Sequence, residues 1–144
     1  MIGGWSWGGY LTSWIIGHTD RYKAAVVGAG VIDVINQYVT SDINHGVVAQ
    51  WEYNGNPWQH TENYDRSNPV RVLKNIKTPT LILHGKNDRR VGFDQGLTLY
   101  RALRDIDCET RFFAYPDEPH GFTNPVHIIH VLESWTDWYM DHAL

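Results

Sequence analysis

Residues 2–10 read Ile-Gly-Gly-Trp-Ser-Trp-Gly-Gly-Tyr, and Gly4-Trp5-Ser6-Trp7-Gly8 within them has the form G-x-S-x-G. A serine in this setting sits on a sharp turn between a strand and a helix, so its hydroxyl projects from the end of a sheet. The flanking glycines tolerate the turn and let neighbouring backbone come close. Ile2 to Gly4 therefore read as the end of a strand. Trp7 to Gly17 read as a helix, with Tyr10, Leu11, Trp14 and Ile15 on one face. The N–H of Trp7, at the start of that helix, can donate to a developing oxyanion. Five residues of this form also describe an ordinary glycine-rich turn, so the reading needs support from elsewhere in the chain.

Outward from the elbow, the chain alternates strand and helix patterns. Lys23 to Gly30 (KAAVVGAG), Thr80 to His84 (TLILH) and Thr110 to Tyr115 (TRFFAY) are short apolar runs of the kind buried in parallel sheets. Asp94 to Leu103 has helical spacing through Leu97, Tyr100 and Leu103. Val126 to Met140 reads as an amphipathic helix with Ile129, Leu132, Trp135 and Tyr139 near one stripe. The stretch Val34 to Ser67, with Gly46, Gly55 and Pro57, is irregular. It reads as short helices and loops packed over the mouth of a site. Asn68-Pro69 starts a short helix through Leu73. The expected class is α/β, a mostly parallel sheet of about three to four strands flanked by helices. No internal boundary divides residues 1–144, which read as a single partial domain.

Two later segments bear on the elbow. Leu81-Ile82-Leu83-His84-Gly85-Lys86-Asn87-Asp88 runs from a buried strand into a loop carrying an acid. Tyr115-Pro116-Asp117-Glu118-Pro119-His120 does the same with a histidine. Both partners follow the C-terminal ends of predicted strands, where parallel sheets place their sites. The order Ser6, Asp88, His120 is that of α/β-hydrolases. These residue types suit acyl transfer. A histidine base takes the serine proton, and a carboxylate holds the imidazole tautomer.

The segments GWSWGGY (4–10), LILHGKNDRRV (81–91) and YPDEPHGF (115–122) resemble the signature segments of the prolyl oligopeptidase family. They are nearest its acylaminoacyl-peptidase and dipeptidyl-peptidase-like members. SDINHGVVAQWEYNGNPW (41–58) and FTNPVH (122–127) resemble the same branch, so the likeness covers nearly the whole chain. It implies a truncated α/β-hydrolase fold with Ser6 as nucleophile, Asp88 as orienting acid and His120 as general base. It also implies a pocket lined by Trp7, Val31, Val34, Arg90 and Val91, suited to a peptide or ester substrate with an apolar acyl-side group. No metal or organic cofactor is implied. Members of the family carry an N-terminal β-propeller and a complete hydrolase domain, whereas this chain begins just before Gly4. The earlier strands and the segment with the second oxyanion donor are thus expected to be missing. Loss of one such donor lowers turnover by ~10²–10³. An uncovered sheet edge and apolar faces predict a homo-oligomer, or a partner chain bearing the other half.

The remaining features narrow the reading. The net charge is −4 and the longest basic run is Arg89-Arg90, so neither nucleic acid nor an anionic membrane is an expected partner. Cys108 is the only cysteine. That fits a reducing, cytoplasmic setting and rules out an internal disulfide. The N-terminal residues lack the pattern of a secretory signal. His18, His45, His60, His127, His130 and His142 suggest surface or packing roles rather than a metal site. Trp135, Trp138 and Tyr139 suggest core and helix-face roles. Asp117 and Glu118 read as solvated turn residues. Arg89 reads as an ion-pair partner at the start of the next helix, while Arg90 is open to recognition of a substrate carboxylate or carbonyl. Asp42 and Glu52 are candidate contacts for a substrate amine. Two function classes follow: a serine hydrolase, and a non-catalytic half-domain that acts by association.

Overall fold

The computed structural model describes residues 1–43 and 49–143, so His45 and Gly46 lie outside the described residues. Four strands form one sheet in the order β1 (Ile2–Trp5), β2 (Ala25–Gly28), β3 (Thr80–Gly85), β4 (Thr110–Tyr115). All three pairings are parallel, with Ile2 opposite Ala25, Ala25 opposite Thr80, and Thr80 opposite Thr110. Parallel strands need crossovers, and helices supply them. These are α1 (Trp7–Ile16) after β1, α2 (Val34–Thr40), α3 (Ala49–Tyr53) and α4 (Thr61–Arg66) after β2, and α5 (Phe93–Asp105) after β3. The last helix is α6 (Pro125–Asp141).

Side chains along a strand alternate between faces, and two cores result. Ala25, Val27 and Ile82 pack on one face with Ile16, Leu99, Leu103 and Cys108. Ala24, Val26, Leu81 and Leu83 pack on the other with Trp138, Trp135 and Tyr139 of α6. A third cluster stands apart from both. Tyr10, Val31, Val34, Tyr53, Tyr64 and Val91 join α1 to the irregular stretch and hold it beside Ser6.

Helix kinds and approximate ends follow the sequence pattern, and the buried faces follow it only in part. In α1 the buried residues are Gly9, Tyr10, Thr12, Ser13 and Ile16, while Leu11 is 48% exposed. The reason is close approach. A Cβ on Gly9 would lie 2.7 Å from Gly30 Cα and 2.8 Å from Gly28 O, so only a small-residue face lets α1 reach the sheet. Thr12 and Ser13 satisfy their buried hydroxyls on the carbonyls of Gly8 and Gly9, at 2.8 and 3.0 Å.

In α6 the expected stripe holds at Trp135 and Tyr139, which pack against the core, and fails at its N-terminal half. Ile129 and Leu132 are 55% and 62% exposed, and Trp138 is the buried residue. Large aromatics set the packed face. Trp135 and Tyr139 fill the space over Gly3, where any Cβ would collide with both. Arg111 lies over the Trp138 ring, 5.4 Å from its centroid. In α5 the buried residues are Gln95, Gly96, Leu99 and Leu103, with Leu97 and Tyr100 only half-buried. The short helix expected after Asn68 is two 3₁₀ turns, Pro69–Arg71 and Leu73–Asn75.

Candidate active site

Ser6 stands between β1 and α1 with φ 61° and ψ −119°. A left-handed backbone is strained for any non-glycine residue, typically by ~1–3 kcal/mol. The surroundings hold it there. Ser6 N–H donates to Gly28 O at 2.8 Å, and Tyr10 N–H donates to Ser6 O at 3.0 Å. A Cβ on Gly4 would fall 2.5 Å from the carbonyl carbon of Gly8. The first glycine of the pattern is therefore required by the turn itself. Trp7 opens α1, so its N–H has no partner within the helix.

Ser6, His120 and Asp88 meet at the C-terminal ends of β1, β4 and β3. Ser6 Oγ–H donates to His120 Nε2 at 2.8 Å, and His120 Nδ1–H donates to Asp88 Oδ2 at 2.7 Å. The proton positions follow from the network. Asp88 has a fully buried side chain. Its Oδ1 accepts from the N–H groups of Arg90 and Val91, each at 2.9 Å. Burial alone would raise its carboxyl. The contacts with the two imidazoles, His120 and His84, and the Val91 N–H outweigh burial and hold it well below the usual carboxylate range. A buried carboxylate that stays ionised can stabilise an imidazolium.

The loops carrying Asp88 and His120 are tied together. Lys86 N–H donates to Tyr115 O at 2.9 Å and Asn87 N–H to Glu118 O at 3.0 Å. Glu118 is only 2% exposed, which corrects its reading as a solvated turn residue. Its carboxylate accepts from Thr123 N–H at 2.8 Å, Asn124 N–H at 3.1 Å and His127 Nδ1 at 2.6 Å. It thereby anchors the His120 loop to the start of α6. Asp117 is exposed, with φ 60°. Trp5 also reaches this loop, donating from Nε1 to His120 O at 3.0 Å, and Phe122 packs edge-on against its ring.

Beside the serine lies a cavity of about 270 Å³ lined by Ser6, Trp7, Val31, Gln37, Ile43, Glu52, Arg90, Val91 and His120. Trp7, Val31, Arg90 and Val91 were expected there. Val34 was too, but it lies behind the wall, 2% exposed in the tyrosine cluster. The ion pair expected of Arg89 falls on Arg90 instead, which binds Asp42 at 2.6 Å. Arg89 is exposed and pairs with no acid among the described residues. Asp42 is thus committed, whereas Glu52 faces the cavity, and partial burial raises its carboxyl. Gln37 and Ile43 were not anticipated. Gln37 Nε2 donates to Arg90 O at 2.7 Å, a link between distant segments that no local pattern signals. Among the described residues no cluster of His, Cys, Asp and Glu could hold a metal ion.

A serine elbow at the head of a parallel sheet, with an acid after the third strand and a histidine after the fourth, defines part of an α/β-hydrolase fold. The model of the Prolyl oligopeptidase family matches residues 1–144, and the chain belongs to that family. It is 32% identical to an uncharacterized peptidase of Bacillus subtilis, YuxL, over 96% of this chain and 22% of that protein. It is 35% identical to dipeptidyl-peptidase 5 of Aspergillus oryzae, over 86% of this chain and 17% of that protein. The acylaminoacyl peptidase of Pyrococcus horikoshii superposes with a TM-score of 0.89 at 28% identity, covering 98% of this chain and 23% of that one. The chain thus spans about a fifth of the length of these relatives.

Proposed function

We propose that this chain is part of a hydrolase domain that cleaves peptide and ester bonds through a covalent acyl-enzyme. Ser6 is the nucleophile, His120 the general base and then acid, and Asp88 the residue that orients the imidazole. The observation that carries this reading is the hydrogen-bonded chain Ser6–His120–Asp88, at 2.8 and 2.7 Å, on a strained elbow. His120 takes the hydroxyl proton as Ser6 Oγ attacks the carbonyl carbon. The oxyanion forms beside the Trp7 N–H. The proton then passes from His120 to the leaving group, and water repeats the sequence on the acyl-enzyme.

Family membership supports the peptidase class. The cavity walls of Trp7, Val31, Ile43 and Val91 support an apolar acyl-side group. Ester turnover should exceed amide turnover, because an ester leaving group needs less help from the general acid. The described residues include no helix long and apolar enough to cross a membrane. The buried thiol of Cys108 suits a reducing, cytoplasmic compartment.

The test is labelling by a fluorophosphonate probe, comparing wild type with Ser6→Ala and His120→Ala. Stoichiometric labelling lost in both variants supports the mechanism, and folded wild type that takes no probe defeats it. A second reading is function by association. It is favoured by the edge position of β1 in the sheet and by exposed Val126, Ile129 and Leu132 on α6. This surface predicts a homo-oligomer; sedimentation as a monomer at micromolar concentration would count against it.

A further inference from the structure

We propose that His84 is a positioning residue for Asp88. Its Nε2–H holds the turn from Asp88 to Val91 closed and so keeps Asp88 Oδ2 aimed at His120. This inference rests on the reading of Ser6, His120 and Asp88 as a triad.

His84 lies near the end of β3, and its side chain is fully buried. Its Nε2 is 2.9 Å from Val91 O. A carbonyl oxygen can only accept, so the proton sits on Nε2. The other nitrogen, Nδ1, has no hydrogen-bond partner among the described residues. It faces Gly96 of α5, where a Cβ would come within 2.7 Å of it. Glycine at that place makes room for the ring, and Phe93 meets it edge-on at 5.9 Å. The imidazole therefore has one orientation and one N–H to give.

That N–H completes a closed loop of contacts. Val91 donates its own N–H to Asp88 Oδ1 at 2.9 Å and accepts at its carbonyl from His84. With Arg90 N–H also on Oδ1, only Oδ2 is left for His120. His84 Nε2 lies 3.6 Å from Oδ2. This is too long for a hydrogen bond but close enough for attraction between two groups shielded from water. Without His84 the buried Val91 carbonyl loses its partner, the turn can open, and the carboxylate can rotate away from His120.

The experiment follows the downfield proton resonance of the His120 Nδ1–H bonded to Asp88. The resonance is assigned by its loss in Asp88→Asn. His84→Gln, whose amide nitrogen can reach the position of Nε2, should retain it. His84→Leu should shift or abolish it, and labelling by the fluorophosphonate should slow about tenfold. The same substitution should add nothing in the Asp88→Asn background. A folded His84→Leu protein with an unchanged resonance would overturn the proposal, as would a wild type that lacks the resonance. Should His84→Leu not fold, His84→Asn takes its place. Its amide reaches only the position of Nδ1, so behaviour equal to His84→Gln would overturn the proposal too. The resonance needs no turnover, so a wild type that shows it but takes no probe defeats the hydrolase reading alone.

Discussion

The indole Nε1–H of Trp5 donates to the carbonyl of His120 at 3.0 Å. The residue just before Ser6 therefore steadies the loop that carries His120, across 115 positions of sequence. Trp5→Phe keeps an aromatic ring against Phe122 and removes the donor. Fluorophosphonate labelling should slow by about tenfold, with a stability loss of about 1 kcal/mol. Unchanged labelling kinetics would show that the loop holds itself.

Glu118 gives the fold a dependence on acid. Burial by itself raises its carboxyl, but the N–H of Thr123, the His127 imidazole and the N–H of Asn124 outweigh this. It titrates below its ordinary value of 4.5. A depressed folded value means that the stabilisation is complete above 4.5 and is lost as the pH falls through the lower folded value. Glu118→Gln should lower Tm at neutral pH by roughly 3–6 °C. The gap from wild type should close on acidification below 4.5. Melting curves across pH that stay parallel would refute this account.

Two adjacent glycines should respond oppositely to the same change. A Cβ on Gly9 meets rigid backbone at Gly30 and Gly28, while one on Gly8 meets nothing within 4 Å. Gly9→Ala should destabilise by about 1–2 kcal/mol, overpacking exceeding the gain in helix propensity. Gly8→Ala should be neutral or stabilising by up to ~1 kcal/mol. Urea titrations of both variants provide the comparison.

Glu52 faces the cavity beside Ser6, whereas Asp42 is engaged by Arg90. Glu52→Gln should lower kcat/KM for aminoacyl esters with a free α-amine by roughly 3–10-fold, as expected for a partly exposed ion pair. N-acylated esters should be little affected. An equal fall for both substrate sets would make Glu52 a wall of the pocket and nothing more.

The elbow, the strands and the order Ser6, Asp88, His120 were legible because each depends on local requirements. A sharp strand-to-helix turn demands glycine at position 4, and strands covered on both faces demand continuous apolar runs such as Ala24 to Val27. Helix faces were less legible. In α1 the apolar stripe through Leu11 suggested the wrong side, because the sheet selects the small residues Gly9 and Ser13 that allow close approach. In α6 the choice of Trp135, Trp138 and Tyr139 over Ile129 and Leu132 depends on the hollow above Gly3, which belongs to another strand.

The sequence by itself determined an α/β chain with a serine elbow, an acid and a histidine, each at a strand end, since short-range sterics and hydrophobic runs are written along the chain. Only the tertiary structure decided that Glu118 is a buried anchor, that Arg90 rather than Arg89 pairs with Asp42, that Val34 stands behind the pocket, and that His84 and Trp5 bond the segments that carry Asp88 and His120. Arg90 and Trp5 find their partners 48 and 115 positions away, and Glu118 and His84 bond within loops whose course is set by the layers around them. Burial and hydrogen bonding between such residues are set by how the layers pack, and no local pattern encodes that.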